Sequence, residues 1–270
     1  SISELLSQLY AGLREQIRAI RPNVNHHVRL FQALKRLRGP QSKPIWVFTT
    51  NYDILVELAA ARCELPVVDG FIGSYPRVFR SASYNWRQGR IVSSRNRSPA
   101  FDSTDVGPFV VLFKLHGSIN WWTLAQPEPG VYLAEDSATV GDSAKSTLIA
   151  PRRRKEFDVL EFPYNQIWRY AANVIGSDCK YVVTCGYSFR DEHINDMILV
   201  GPAKAGRIQL CVLAPDRLAV FDQLESVASV SWATAHEVRR NGQTYEGGLD
   251  LWRFSSLVRY LCERAGIKEV

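Results

Sequence analysis

The sequence predicts an α/β protein: a Rossmann-like, doubly wound, mainly parallel sheet with helices on both faces and an irregular insertion. Two observations lead there. Short apolar runs alternate with stretches of helical period, the order that builds a parallel sheet covered on both sides. Four of those runs also stop on polar signatures. Ile45 to Phe48 precedes Thr49-Thr50-Asn51-Tyr52-Asp53, and Phe109 to Phe113 precedes Lys114-Leu115-His116-Gly117-Ser118. Tyr181 to Val183 precedes Thr184-Cys185-Gly186-Tyr187-Ser188, and Ile208 to Leu213 precedes Ala214-Pro215-Asp216. Open parallel sheets bind ligands beyond the carboxyl ends of their strands. Polar residues gathered at those ends therefore read as a site, and four together suit a dinucleotide.

The elements follow in order. Leu5 to Ile20 and Val28 to Leu37 have the period of amphipathic helices; in the second, Leu30, Phe31, Leu34 and Leu37 share a face opposite Lys35, Arg36 and Arg38. Gly39-Pro40 stops that helix before the strand at Ile45. Ile54 to Arg62 reads as the next helix, with Leu55, Leu58 and Ala59 inward. Residues 67 to 108, rich in Gly, Ser, Pro, Arg and aromatics, read as an insertion or small β-rich subdomain that returns at Phe109. Long stretches of this kind often cover a site. Its arginines (Arg77, Arg80, Arg87, Arg90, Arg95, Arg97) and aromatics (Phe71, Tyr75, Phe79, Tyr84, Trp86) suit a lid or an oligomer contact. Ala134 to Lys145 reads as a mobile loop. Helices are expected over Asn165–Ile175, Asp191–Leu199, Leu218–Leu224 and Leu251–Ala265, with strands over Lys180–Cys185, Arg207–Leu213 and Ala228–Ala233. All 270 residues are read as one domain.

Composition narrows the class. A hydrophobic content of 46% is that of a globular chain, and no run approaches the roughly 18 apolar residues of a spanning helix. No signal peptide is visible. The five cysteines are scattered and none has zinc-knuckle spacing, which fits reduced thiols in a cytoplasmic protein. The net charge of +6 resides in residues 1 to 44, with eight basic side chains against Glu4 and Glu15. That segment could face nucleic acid, an acidic partner or a ligand's phosphates, or be a solvated helix face.

The candidate site residues each carry a structural alternative. Asn51 and Asp53 could cap the following helix, or contact a ribose, a nucleophilic water and a carboxamide. His116, with Gly117 permitting close backbone approach, suits a general base or a buried histidine satisfied by a carbonyl. Gly186-Tyr187-Ser188 before a helix suits a pyrophosphate, or is a plain turn. His193 could reach the cleft, or be a packing or exposed residue; His26-His27 reads as no metal pair, and Arg152-Arg153-Arg154-Lys155 as a solvated loop or a phosphate contact. Hydrolase elbows and Walker loops are absent from the sequence.

These residues resemble a known family. Thr49 to Asp53 is similar to the sirtuin Thr-Gln-Asn-Ile-Asp element, and His116-Gly117-Ser118 to the residues around the sirtuin catalytic histidine. With Lys114-Leu115, Asp69-Gly70-Phe71, Gly73, Gly186-Tyr187-Ser188-Phe189 and Asp191 to Asn195, the set from about residue 45 to 216 resembles the bacterial sirtuin-like NAD hydrolases of antiphage defence. The zinc-binding cysteine pairs of sirtuin deacetylases do not follow His116, so neither a zinc module nor deacetylation is expected. The family's glycine-rich phosphate loop is expected upstream of residue 1. The resemblance implies NAD+ as substrate, no metal, and cleavage of the nicotinamide–ribose bond. Asn51 would position the ribose and the water, Asp53 the carboxamide, and His116 would take a proton. Thr49, Gly117, Gly186, Tyr187, Ser188, Ala214, Pro215 and Asp216 would line the nucleotide. It further implies a homo-oligomer gated by a partner or fused sensor: a HerA-type ATPase, an Argonaute protein or a phage-protein-binding domain. The other reading is a non-catalytic sensor of NAD or ADP-ribose.

Overall fold

The computed structural model describes residues 2–19, 23–39, 43–85, 90–94, 97–102, 107–126, 129–149 and 160–268, with only the backbone for 2–7, 90–94 and 97–102. Trp86, Arg87, Arg95, the side chains of Arg90 and Arg97, and the Arg152 to Lys155 run lie outside the described residues. The fold is α/β. The chain forms two compact units, residues 1–31 with 38–170, and residues 32–37 with 171–270.

The first unit opens with α1 (Ile2–Ala19), and α2 (Asn25–Arg38) is divided between the two units. Phe31 and Ala33 are buried on α2, whereas Leu37, expected inward, is 46% exposed. Then follow β1 (Pro44–Thr49) and α3 (Leu55–Arg62). The inward face of α3 is Ala59 and Ala60, followed by Cys63; Leu58 points outward. The small residues, not the leucine, make the packed face. The insertion is β-rich: β2 (Val67–Val68), β3 (Phe71–Ile72), β4 (Arg77–Phe79), a 3₁₀ turn at Ser81–Asn85, and a hairpin of β5 (Arg90–Ser94) and β6 (Arg97–Asp102).

β7 (Phe109–Lys114) is the centre of a parallel sheet ordered β1-β7-β2, with Thr49 opposite Lys114. Five residues of that strand, Val110 to Lys114, are buried, as a strand covered on both faces requires. β8 (Gly117–Leu124), β9 (Gly130–Leu133) and β10 (Lys145–Leu148) build an antiparallel sheet ordered β10-β8-β9-β4-β3. Sequence reading did not anticipate this sheet. Part of the insertion is core rather than cover: Phe79 is 1% exposed, Phe71 packs 5.0 Å from Trp121, and Tyr84 stacks 4.7 Å from Phe113. The 134–145 loop is a set of turns in which Asp136 accepts from the Thr139 amide and hydroxyl, both at 2.9 Å. α4 (Tyr164–Val174) is divided between the two units.

In the second unit β11 (Tyr181–Cys185) leads to α5 (Glu192–Ile194), a π-turn at Asn195–Leu199 and α6 (Val200–Lys204). A single helix was expected over Asp191–Leu199. β12 (Gln209–Leu213), α7 (Val220–Leu224), β13 (Val230–Ala233), β14 (Glu237–Arg240), β15 (Gln243–Glu246) and α8 (Phe254–Arg264) complete it. β11, β12 and β13 run parallel, and β14 and β15 extend the sheet antiparallel. Its core is Val212, Phe221 and Trp232, the last two stacked at 4.5 Å. Tyr181 and Val183, expected inside, are 80% and 59% exposed on the edge strand. Among the described residues no helix is long and apolar enough to cross a membrane.

Candidate active site

The parallel register of β1 and β7 sends the two following loops out of the sheet side by side. Hydrogen bonds then tie one to the other. The Leu115 amide donates to the Thr49 carbonyl at 2.9 Å. The Tyr52 carbonyl accepts from the Ile119 amide at 2.9 Å and from the Ser118 hydroxyl at 3.1 Å. The Lys114 ammonium donates to the Asp53 carbonyl. The Tyr52 phenol donates to the Ile149 carbonyl at 2.5 Å; burial, then the neighbouring Tyr10, pushes its pKa up to about 12. A loop with this many backbone anchors holds its side chains in one geometry.

Within that frame Thr49 Oγ1 accepts from the Asn51 amide at 3.0 Å, which leaves the Asn51 side chain on the exposed side. Asp53 is half-buried, and its Oδ1 accepts from the Leu55 amide at 2.9 Å, so it does shape the entry to α3. His116 is 4% exposed, and its carbonyl accepts from the Ile149 amide at 3.0 Å. Gly117 has φ +85°, and a Cβ there would lie 2.5 Å from the Thr147 carbonyl oxygen. The close backbone approach expected of this glycine is therefore real. Thr49, Asn51, Asp53, His116 and Gly117 thus belong to one edge of the first unit.

Two further residues interact with this loop and its neighbour strand: His27, which the sequence offered only as no metal pair, and Glu57, which no motif singled out. His27, on α2, sits within the field of Asp53: burial lowers its pKa, the Asp53 carboxylate opposes that, and His26 adds to it. Glu57, in the first turn of α3, pairs with Lys114 at 3.1 Å; burial raises its carboxyl pKa and Lys114 opposes the rise. No local motif marks either residue: His27 is brought near the loop by α2, and Glu57, one helical turn beyond Asp53, is singled out only by its pairing with Lys114.

The second unit presents its own set. Cys185 and Leu213 are in register, so Gly186-Tyr187-Ser188 and Ala214-Pro215-Asp216 leave neighbouring strand ends. Gly186 and Phe189 both have positive φ, +72° and +57°. Asn195 holds that turn: its Nδ2 donates to the Phe189 carbonyl at 2.8 Å and its Oδ1 accepts from the Tyr187 hydroxyl at 3.3 Å. The Tyr187 phenol is raised by burial and then by Asp191. The helix that follows is capped by Asp191, whose Oδ1 accepts from the Ile194 amide at 3.4 Å, and not by Ser188. Gly186 and Ser188 are exposed; Ala214 is buried, with its amide donating to Ala233; and Asp216 lies 3.4 Å from His236. Among the described residues no three His, Cys, Asp or Glu side chains are grouped to hold a metal ion.

Residues 46–207, more than half of the chain, match the family model described as SIR2-like domain. No curated protein matches the chain.

Proposed function

Because the chain belongs to the SIR2-like domain family, we propose that it hydrolyses NAD+ to nicotinamide and ADP-ribose. SIR2-like domains use NAD+. The observation that carries the reading is the pairing of Thr49 with Lys114, which brings the Asn51, Asp53 and His116 segments to one strand edge. The bond broken joins the nicotinamide nitrogen to the ribose, through an oxocarbenium-like transition state. The Asn51 amide would orient the ribose and the incoming water. Asp53 would hold the nicotinamide carboxamide, and His116 would accept the proton of a ribose hydroxyl or of the water. In the second unit, Gly186, Tyr187, Ser188, Ala214, Pro215 and Asp216 are proposed as nucleotide contacts in their own right. We place the activity in cytoplasmic antiphage defence, in a homo-oligomer gated by a sensor, since unrestrained NAD+ loss would kill the host.

Nicotinamide release from the intact protein with its trigger tests the reading. Asn51→Ala and His116→Ala should each lower release at least about 100-fold, since members of a catalytic unit act together. The enclosure of His116 favours a second reading, a sensor that holds NAD+ or ADP-ribose unchanged. Calorimetry separates them: stable binding with quantitative recovery of NAD+ under every trigger would establish the sensor.

A further inference from the structure

We propose that Lys114 is a positioning residue for the loop that carries Asn51 and Asp53, acting as a buried ammonium clamp paired with Glu57. The proposal rests on the NAD+-hydrolase reading for its functional consequence. Lys114 ends β7 and is 2% exposed. Every other residue of that strand is apolar (Phe109 to Phe113), so core packing alone would be served by an apolar side chain. An ammonium has three donors, no acceptor and a large desolvation cost, so its place in a core implies specific partners. Those partners are the Asp53 carbonyl and Glu57 Oε1, the latter at 3.1 Å.

The geometry gives the clamp its meaning. The Asp53 carbonyl lies two residues after Asn51, at the point where the loop turns into α3. Ser118 and Ile119 fix the Tyr52 carbonyl from one side, and Lys114 fixes the next carbonyl from beneath. Glu57 keeps the ammonium aimed. Behind Glu57 stands Asp69, whose charge raises the Glu57 carboxyl and whose oxygens take two bonds from Arg77, at 2.7 and 2.9 Å. Lys114 thus attracts Glu57, Asp69 repels it, and Arg77 offsets the Asp69 charge on the insertion side.

A merely structural pair and a clamp differ in one respect. Replacing both members of a buried ion pair with apolar residues commonly leaves a fold intact. The test is the double variant Lys114→Met with Glu57→Leu in the full chain, with its trigger. It should fold with a melting temperature near that of the wild type. Its kcat for nicotinamide release should fall about 100-fold, the cost of misplacing reacting groups by about 1 Å, with KM for NAD+ changed less than about threefold. Amide exchange over residues 50–55 should rise at least about tenfold, whether or not the protein turns over NAD+. If wild-type protein releases no nicotinamide yet exchange rises in the variant, the hydrolase reading fails and the clamp stands. Unchanged exchange, or raised exchange with unchanged kcat in an active enzyme, overturns the clamp. Should this variant not fold, Lys114→Gln with Glu57→Gln, uncharged and closer in shape, replaces it with the same readouts and directions.

Discussion

Gly117 and His27 show how single residues carry the consequences of this site. An alanine at Gly117 would meet the Thr147 carbonyl at 2.5 Å and the Tyr164 hydroxyl at 2.6 Å while held at φ +85°. The first obstacle is backbone, and the second is the end of a buried side chain with little room to move. Gly117→Ala should therefore cost at least about 2 kcal/mol in urea unfolding; a loss below about 0.5 kcal/mol would mean that the strand end relaxes. His27 makes a pH prediction. Burial lowers its pKa below the ordinary 6.5, with Asp53 opposing and His26 adding. A depressed value means that on acidification the unfolded chain takes the proton first. Its contribution to stability is whole above about pH 6.5 and is lost as pH falls through the folded-state value. His27→Gln should flatten the fall in melting temperature on that limb, and an unaltered slope would remove His27 from the account.

At the scale of elements, what could be read in advance was what periodicity and strand-end chemistry encode. The runs ending at Thr49, Lys114, Cys185 and Leu213 are strands, and the register sets them as parallel pairs. The antiparallel β8-β9-β10 sheet was not legible, because Gly117 and Ser118 read as the polar stop of the preceding strand and not as the start of another. Its pairing with residues near Thr147 is a long-range choice that no local pattern states. The loop after β11 was legible only as words. Its working part is Asn195, which sits on the π-turn and reaches back to Phe189 and Tyr187. Turns of this type often mark functional positions. Asn195→Leu would leave two polar groups without that partner and release Phe189 from its left-handed conformation, for about 1–3 kcal/mol. If the turn also contacts nucleotide, NAD+ affinity should fall in the same variant. Loss of stability with unchanged affinity would restrict Asn195 to the fold.

Over the whole molecule, the charge surplus of the first 44 residues invites a nucleic-acid reading, and the fold limits it. Arg14 is 5% exposed, stacks 3.7 Å over Trp122 and donates to Ser146 at 2.7 Å; burial, then Arg18, lowers its pKa to about 10. Arg18 donates to the Glu135 carbonyl. Two of the eight cations thus serve the packing of α1, which composition could not reveal. Lys35, Arg36 and Lys43 are exposed and Arg38 is partly so, which gives four side chains near one another in sequence. Each neutralised phosphate contributes about −0.9 to the slope of log affinity against log salt. Duplex DNA bound through these four alone should show a slope of roughly −3.6, and neutralising Arg36 and Arg38 should halve it while nicotinamide release stays unchanged. A slope much steeper than that would assign further phosphates to Arg152-Arg153-Arg154-Lys155. No measurable binding at low salt would make these four cations solvated side chains.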